Sequence, residues 1–206
     1  MTRLADEQMC GMFAVDIAGF SGPERNDDVQ AYLRKALYEI LQTAFDASGV
    51  PWLNCLHEDR GDGVLVVIPA ATGAGNVIDP LLERLRGMIR RHNRMSCFAA
   101  RIQLRASSHI GFVLRDRHGF VGDAVNHLFR LLDAPVLKRK LDGCDAELAF
   151  IASEYVYESV IRRHPTLVDP ALFQPVRVRV KQTSAHAWIY VPGASPPRQG
   201  HRGSPR

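Results

Sequence analysis

Apolar positions along this chain fall into two rhythms. Leu33, Ala36, Leu37, Ile40, Leu41, Ala44 and Phe45 recur at intervals of three or four, which predicts a long amphipathic helix over 27–47. Leu81, Leu82, Leu85, Met88 and Ile89, after Pro80 at the start, predict a second helix over 80–93. Shorter runs rich in β-branched residues predict buried strands at 11–17 (GMFAVDI) and 64–68 (VLVVI). Looser alternation predicts strands at 50–58 and 148–152, a strand or hairpin arm at 101–115, and a closing hairpin from 176–181 and 187–190. A helix over 153–163 takes Ser153 as its cap. Gly/Asp-rich turns at 19–23, 58–63 and 116–119 and a small-residue linker at 69–76 separate these elements.

The stretch 119–130 (GFVGDAVNHLFR) organises the rest. It reads as a tight turn running into a helix, with Asp123 placed to accept from the free N–H groups of the first turn. Asn126 and Arg130 lie four apart and so share one face, while Ala124, Val125, Leu128, Leu131 and Leu132 form the stripe that packs it down. After Arg130 the helix kinks or restarts at Pro135 and runs towards Leu141. An amide one turn from a guanidinium can grip a ribose and stabilise phosphoryl charge; a plain surface helix would show the same two residues.

Composition changes the picture only by exclusion. With 206 residues, 46% hydrophobic and 23% charged, the chain suits one globular domain with a real core. Formal charge is +4, but Arg198, Arg202 and Arg206 sit in the final tail, and without them the body is near +1. That argues against a nucleic-acid partner and against a polymerase or nuclease, which needs a basic groove. Cys10, Cys55, Cys97 and Cys144 have no metal-ligand spacing, and neither a signal segment nor a membrane-spanning run is apparent. Reduced cysteines in a cytoplasmic protein, with no membrane partner, are the expectation. The Pro/Gly/Ser/Arg stretch from 192 to 206 reads as a disordered tail, and 1–9 as an N-terminal extension.

Two acids stand out chemically. Asp16 closes a buried strand, where a carboxylate is costly unless it is paired, caps the turn or holds a cation. Asp62 lies in a turn that could place it beside Asp16, and two adjacent carboxylates suit a divalent metal. His109, with no second histidine at ligand spacing, is read as a hydrogen-bonding histidine. The loop 17–21 can offer backbone N–H groups to phosphate, although it is not a GxxxxGK[ST] loop.

In order along the chain, VDIAGFS at 15–21, RGDG at 60–63, Arg105 with His109 and Gly111, GDAVN at 122–126 with Arg130, and Val180-Lys181 resemble the motifs of the class III nucleotidyl cyclases, the adenylate/guanylate cyclase catalytic domains. The resemblance spans 10–191. It implies an α/β (α+β) ferredoxin-like sandwich, an antiparallel-rich sheet with packed helices, forming a head-to-tail homodimer with shared active sites. It also implies two divalent ions, Mn²⁺ or Mg²⁺, on a metal set of Asp16, Ile17 and Asp62. Gly19, Phe20, Ser21, Arg105 and Lys181 would bind the phosphates. Asn126 would orient the ribose and Arg130 stabilise the reacting phosphorus, both from the other subunit.

Base selection departs from the better-known members. Adenylate cyclases carry Lys where this chain has Glu58, and the second base-reading position falls on Gly119, which has no side chain. Glu58 matches the guanylate pattern, yet a carboxylate can equally accept from cytosine N4 or uracil N3–H. A compact chain with unusual base positions resembles the pyrimidine cyclases of antiphage (Pycsar) defence. That implies UTP, then CTP, as the nucleoside triphosphate substrate and a separate receptor protein for the cyclic product. Cyclic GMP synthesis and a non-catalytic nucleotide-binding regulatory module are the alternatives.

Overall fold

The computed structural model describes residues 8–72, 78–143, 145–164 and 167–193. Cys144, the second half of the linker at 69–76 and the tail from 194 onward lie outside the described residues, as do the first seven.

An eight-stranded sheet carries the domain. Its strands are β1 (Gln8–Ile17), β2 (Leu56–Asp59), β3 (Gly63–Pro69), β4 (Leu104–Asp116), β5 (Gly119–Val121), β6 (Leu148–Ser153), β7 (Gln174–Val180) and β8 (Thr183–Tyr190). Their order is β2-β3-β1-β4-β6-β8-β7, with β5 hairpinned onto the far end of β4. Every pairing is antiparallel except β4 with β6. β1 is central and buried on both sides, which is why its sequence is nearly all apolar. Side-chain alternation splits it: Phe13, Val15 and Ile17 face one core, Met12 and Ala14 the other.

The first core is roofed by α1 (Asp27–Ala47) and α2 (Ile78–Met95). The second is roofed by α3 (Asp123–Leu132) and α4 (Pro135–Asp142). Gly111 lets α3 sit close on β4, since a Cβ there would come within 2.6 Å of the Ala124 methyl. Asp16 points to the α3 side, by parity with Met12 and Ala14.

Several sequence expectations change. Residues 50–58 are not one strand: only Leu56–Asp59 pairs, because Pro51 starts a 3₁₀ turn at Trp52–Asn54. Trp52 is held there by edge contact with Phe45 and by stacking on His57 at 3.8 Å. The second helix starts earlier and ends later than 80–93. The segment 153–163 begins as a helical turn on Ser153, whose hydroxyl accepts from the Val156 N–H, then widens into a π-helix at Tyr157–Ile161. Gln8 and Met9 belong to β1, so the domain begins before residue 10. Asp123 is not the cap of α3. Gly122 is, at φ 142°, and it makes no side-chain cap bond.

Candidate active site

The turn between β2 and β3 brings Asp62 to the end of β1. The Ile17 N–H donates to the Asp62 carbonyl at 2.9 Å, and Gly63 is in register with Asp16. That crossing depends on Gly63, where a Cβ would fall 2.0 Å from the Val15 carbonyl oxygen. Arg34 on α1 steadies the turn, donating to the Gly61 carbonyl and the Asp59 carboxylate, and the Tyr38 hydroxyl donates to the same carboxylate. So α1 fixes the position of Asp62 through groups that sequence motifs did not flag.

Asp16 is 9% exposed and paired. The Arg105 guanidinium, directly opposite it on β4, donates through Nε to Oδ1 at 2.7 Å and through a terminal nitrogen to Oδ2 at 2.9 Å. The expected phosphate-binding arginine is therefore engaged by the expected metal carboxylate in the protomer. Burial outweighs this partner: the Asp16 carboxyl is pushed up to about 6, with the charges of Asp62 and Asp133 adding to the rise. Asp133, at the end of α3, was not foreseen from sequence.

The glycine loop is only half available for phosphate. Of the 17–21 N–H groups, Ile17 is bonded to Asp62 and Ala18 donates to the Gln103 carbonyl at 2.9 Å. Gly19, Phe20 and Ser21 remain, with Gly19 at φ 64°. Arg25 shapes this loop by donating to the carbonyls of Ala18, Ala99 and Arg101. The following helix start does not attract an anion, because Asn26 caps it and Asp27 and Asp28 fill its first turn. Ile17 turns its side chain into the α1/α2 core, so only its backbone faces the carboxylates.

A second group gathers around α3. Asn126 is exposed, and Arg130, half-buried one turn on, donates to the Thr183 hydroxyl at 2.7 Å. Thr183 opens β8 just after the turn that carries Lys181, which adopts φ 51° and is exposed. Lys181 thus sits in the hairpin turn and not in the strand. Among the described residues no hydrogen bond or ion pair joins Asn126, Arg130 or Lys181 to Asp16 or Asp62. His109 behaves as a packing histidine: its Nδ1 is 2.9 Å from the Ser153 hydroxyl, and its ring meets His127 edge-on at 4.7 Å. Burial, then the neighbouring His127, lower its pKa to about 4.

Glu58 and Gly119, the two positions expected to select the base, do come together. Glu58 Oε2 accepts from the Phe120 N–H at 2.9 Å and lies where a side chain on Gly119 would begin, 2.5 Å from an added Cβ. Gly119 belongs to β5 at φ 137°, a conformation open to glycine.

Among the described residues no group of three His, Cys, Asp or Glu is arranged to hold a metal. Asp16 and Asp62 supply hard oxygen donors but not a full shell. The rest would have to come from phosphate and water, the way Mg²⁺ is usually held on one or two carboxylates. The described free cysteines are Cys10, Cys55 and Cys97, and no described helix is long and apolar enough to cross a membrane.

No protein-family model matches the chain, and no curated protein does. Solved structures match its fold. The adenylate/guanylate cyclase/hydrolase of Silicibacter pomeroyi superposes with a TM-score of 0.62 at 20% identity, over 92% of this chain and 100% of that one. The guanylyl cyclase Cya2 gives 0.59 at 16% identity, over 94% and 96%. The guanylate cyclase domain of RhGC from Catenaria anguillulae, solved with GTP, gives 0.54 at 18% identity, over 91% and 99%. This chain has the fold of the adenylate/guanylate cyclase catalytic domains.

Proposed function

We propose that this chain, built on the cyclase fold, is a metal-dependent nucleotidyl cyclase that turns a nucleoside triphosphate into a 3′,5′-cyclic nucleotide and pyrophosphate. The observation that carries the reading is the meeting of Asp16 and Asp62 at the end of β1, beside three free loop N–H groups. In the reaction the substrate's 3′-oxygen forms a bond to its own α-phosphorus as the bond to the β-phosphate oxygen breaks. The hydroxyl proton leaves to solvent or to the departing pyrophosphate. No protein nucleophile is needed, so positioning and charge stabilisation supply the rate. Divalent ions on Asp16 and Asp62, when bound, would make the 3′-oxygen more acidic and offset triphosphate charge. Gly19, Phe20 and Ser21 would donate to phosphate oxygens, Asn126 would fix the ribose, and Arg130 and Lys181 would meet the charge on the α- and terminal phosphates.

We assign the acidic half and the Asn126–Arg130 half of each site to different copies of the chain. Among the described residues no hydrogen bond or ion pair joins Asn126 or Arg130 to Asp16 or Asp62 within one protomer, and the β4–β5 arm leaves Met9, Phe112, Leu114 and Val121 about half exposed. Met9 pairs with Phe112 and Leu114 with Val121, so they form one apolar stripe suited to a second copy.

For the base we propose a pyrimidine, UTP ahead of CTP, signalling through a separate receptor as in antiphage defence. A single acidic reader, Glu58, faces the base, and its carboxylate fills the space of a second reader at 119. The same carboxylate keeps GTP as the second reading.

Incubation with ATP, GTP, CTP and UTP in Mn²⁺, followed by mass spectrometry of the products, tests this. One cyclic pyrimidine monophosphate is expected; cyclic GMP alone would overturn the base assignment. No cyclic product from any of the four would overturn the activity and leave a nucleotide-binding regulatory module. Inactive Asp16→Ala mixed with inactive Arg130→Ala should regain part of the activity, because one heterodimeric site is intact.

A further inference from the structure

We infer that Arg60 is a positioning residue for base recognition, coupling the base reader Glu58 to the helix that carries Asn126 and Arg130. This rests on the cyclase reading above but concerns a residue that reading does not use. Arg60 is the first residue of the RGDG turn, two positions from the Asp62 carboxylate. Its guanidinium forms an ion pair with Glu58 Oε1 at 2.8 Å and, among the described residues, none with Asp16 or Asp62. The same guanidinium lies over the Phe129 ring, 4.5 Å from its centroid. Phe129 is on α3, adjacent to Arg130 and three residues from Asn126.

Glu58 is thereby held from three sides. Arg60 takes one oxygen, the Phe120 N–H takes the other, and the bare Cα of Gly119 supports the carboxylate from below. A glutamate on a short strand would otherwise sample several rotamers, and reading a base with it would cost that freedom on every binding event. Two fixed contacts and an arginine flattened on an aromatic ring remove the cost in advance.

Arg60 also changes what the base meets. Guanidinium carries five donors, and pairing one of its terminal nitrogens with Glu58 leaves N–H donors standing beside a carboxylate acceptor. A base edge with an N–H next to a carbonyl or ring nitrogen complements that pair. An isolated carboxylate would favour two adjacent donors instead. Arg60 therefore narrows the preference that Glu58 alone would show. Lysine cannot replace it fully, since it lacks the planar, delocalised cation that lies over Phe129.

The test compares wild type, Arg60→Met, Arg60→Lys and Glu58→Gln across the four nucleoside triphosphates in Mn²⁺. Arg60→Met keeps an apolar stem on Phe129 and removes every donor. It should raise KM for the preferred nucleotide about fivefold, the loss of one partly exposed ion pair. The four-way preference should flatten, with kcat changed much less. Arg60→Lys should recover part of the preference. In the Glu58→Gln background, Arg60→Met should have little further effect, because the residue acts through Glu58. Unchanged KM ratios, or an equal loss of kcat with all four nucleotides, would overturn the inference. Should wild type form no cyclic product, the cyclase reading fails first, and equilibrium binding of the four nucleotides in Mn²⁺ decides on Arg60 separately. Selectivity that collapses in Arg60→Met supports it, whereas selectivity that persists, or no selectivity in wild type, overturns it.

Discussion

Replacing Asp16 by asparagine offers the sharpest physical test of the site. The folded carboxyl titrates near 6, against an ordinary 3.8 in the unfolded chain, because burial outweighs the pairing with Arg105. Below pH 3.8 both states hold the proton, and the folded chain has its full stability. Between 3.8 and about 6 the unfolded chain releases its proton while the folded chain keeps it, so stability falls with rising pH by about 1.4 kcal/mol per pH unit. Above 6 the loss is complete, at about 3 kcal/mol. Asparagine has the same shape and no titration, so its variant lacks this slope. The assay is urea unfolding of both proteins in EDTA, at one protein concentration, from pH 4.5 to 7.5. Subtracting one curve from the other cancels groups common to both. Over that interval the unfolding free energy of wild type should drop relative to the variant by about 2 kcal/mol. A flat difference would mean that Arg105 compensates the buried charge fully and would refute the argument. Adding Mn²⁺ at pH 7.5 should then stabilise wild type and leave the asparagine variant nearly unchanged, which tests Asp16 as a metal ligand.

Other expectations follow from neighbouring groups. His109, lowered to about 4 by burial and His127, should supply about 3 kcal/mol that is present above pH 6.5 and lost as pH falls towards 4. Its imidazole resonance followed by NMR, and the pH curve of His109→Gln, both report this; a midpoint near 6.5 would contradict it. Gly63→Ala should unfold the domain or cost about 3 kcal/mol or more, as its Cβ meets backbone across β1. Gly61→Ala, in open space at φ 80°, should cost only about 1 kcal/mol, and thermal melts that fail to separate the two would refute the crossing argument. Asp62→Ala should abolish turnover while size-exclusion chromatography shows an unchanged assembly; retained turnover would remove it from the site.

What could be read in advance tracks how local each determinant is. α1 follows from seven apolar positions that all become buried, and β3 from a run buried throughout. Both are properties of neighbouring residues. Residues 50–58 misled because Val50, Trp52 and Cys55 are buried without being paired: Trp52 packs on Phe45 and His57, contacts that no local rule reveals. At α3 the expected cap, Asp123, lies inside the first turn, and the cap is Gly122 at positive φ. Asp62 does come beside Asp16, but the partners that hold these residues did not show in the pattern. Asp16 and Arg105 are 89 positions apart and meet only through strand register. Arg34 and Tyr38 support the turn from outside any motif.

In the proposed cyclase the Asp16–Arg105 pair would let the protomer load by exchange. A divalent ion arriving with a nucleotide would take over Asp16 and set free a guanidinium at the moment an anion appears beside it. Charge inside the cleft would then stay nearly level from the empty to the filled state. In the proposed cyclase Arg105 would be a resident counter-ion: without a ligand it spares the fold a bare buried carboxylate at Asp16, and with one it would pass to the ligand's own negative end. A cation that comes alone brings nothing for the released arginine to hold, so metal and nucleotide should bind together more readily than either binds by itself.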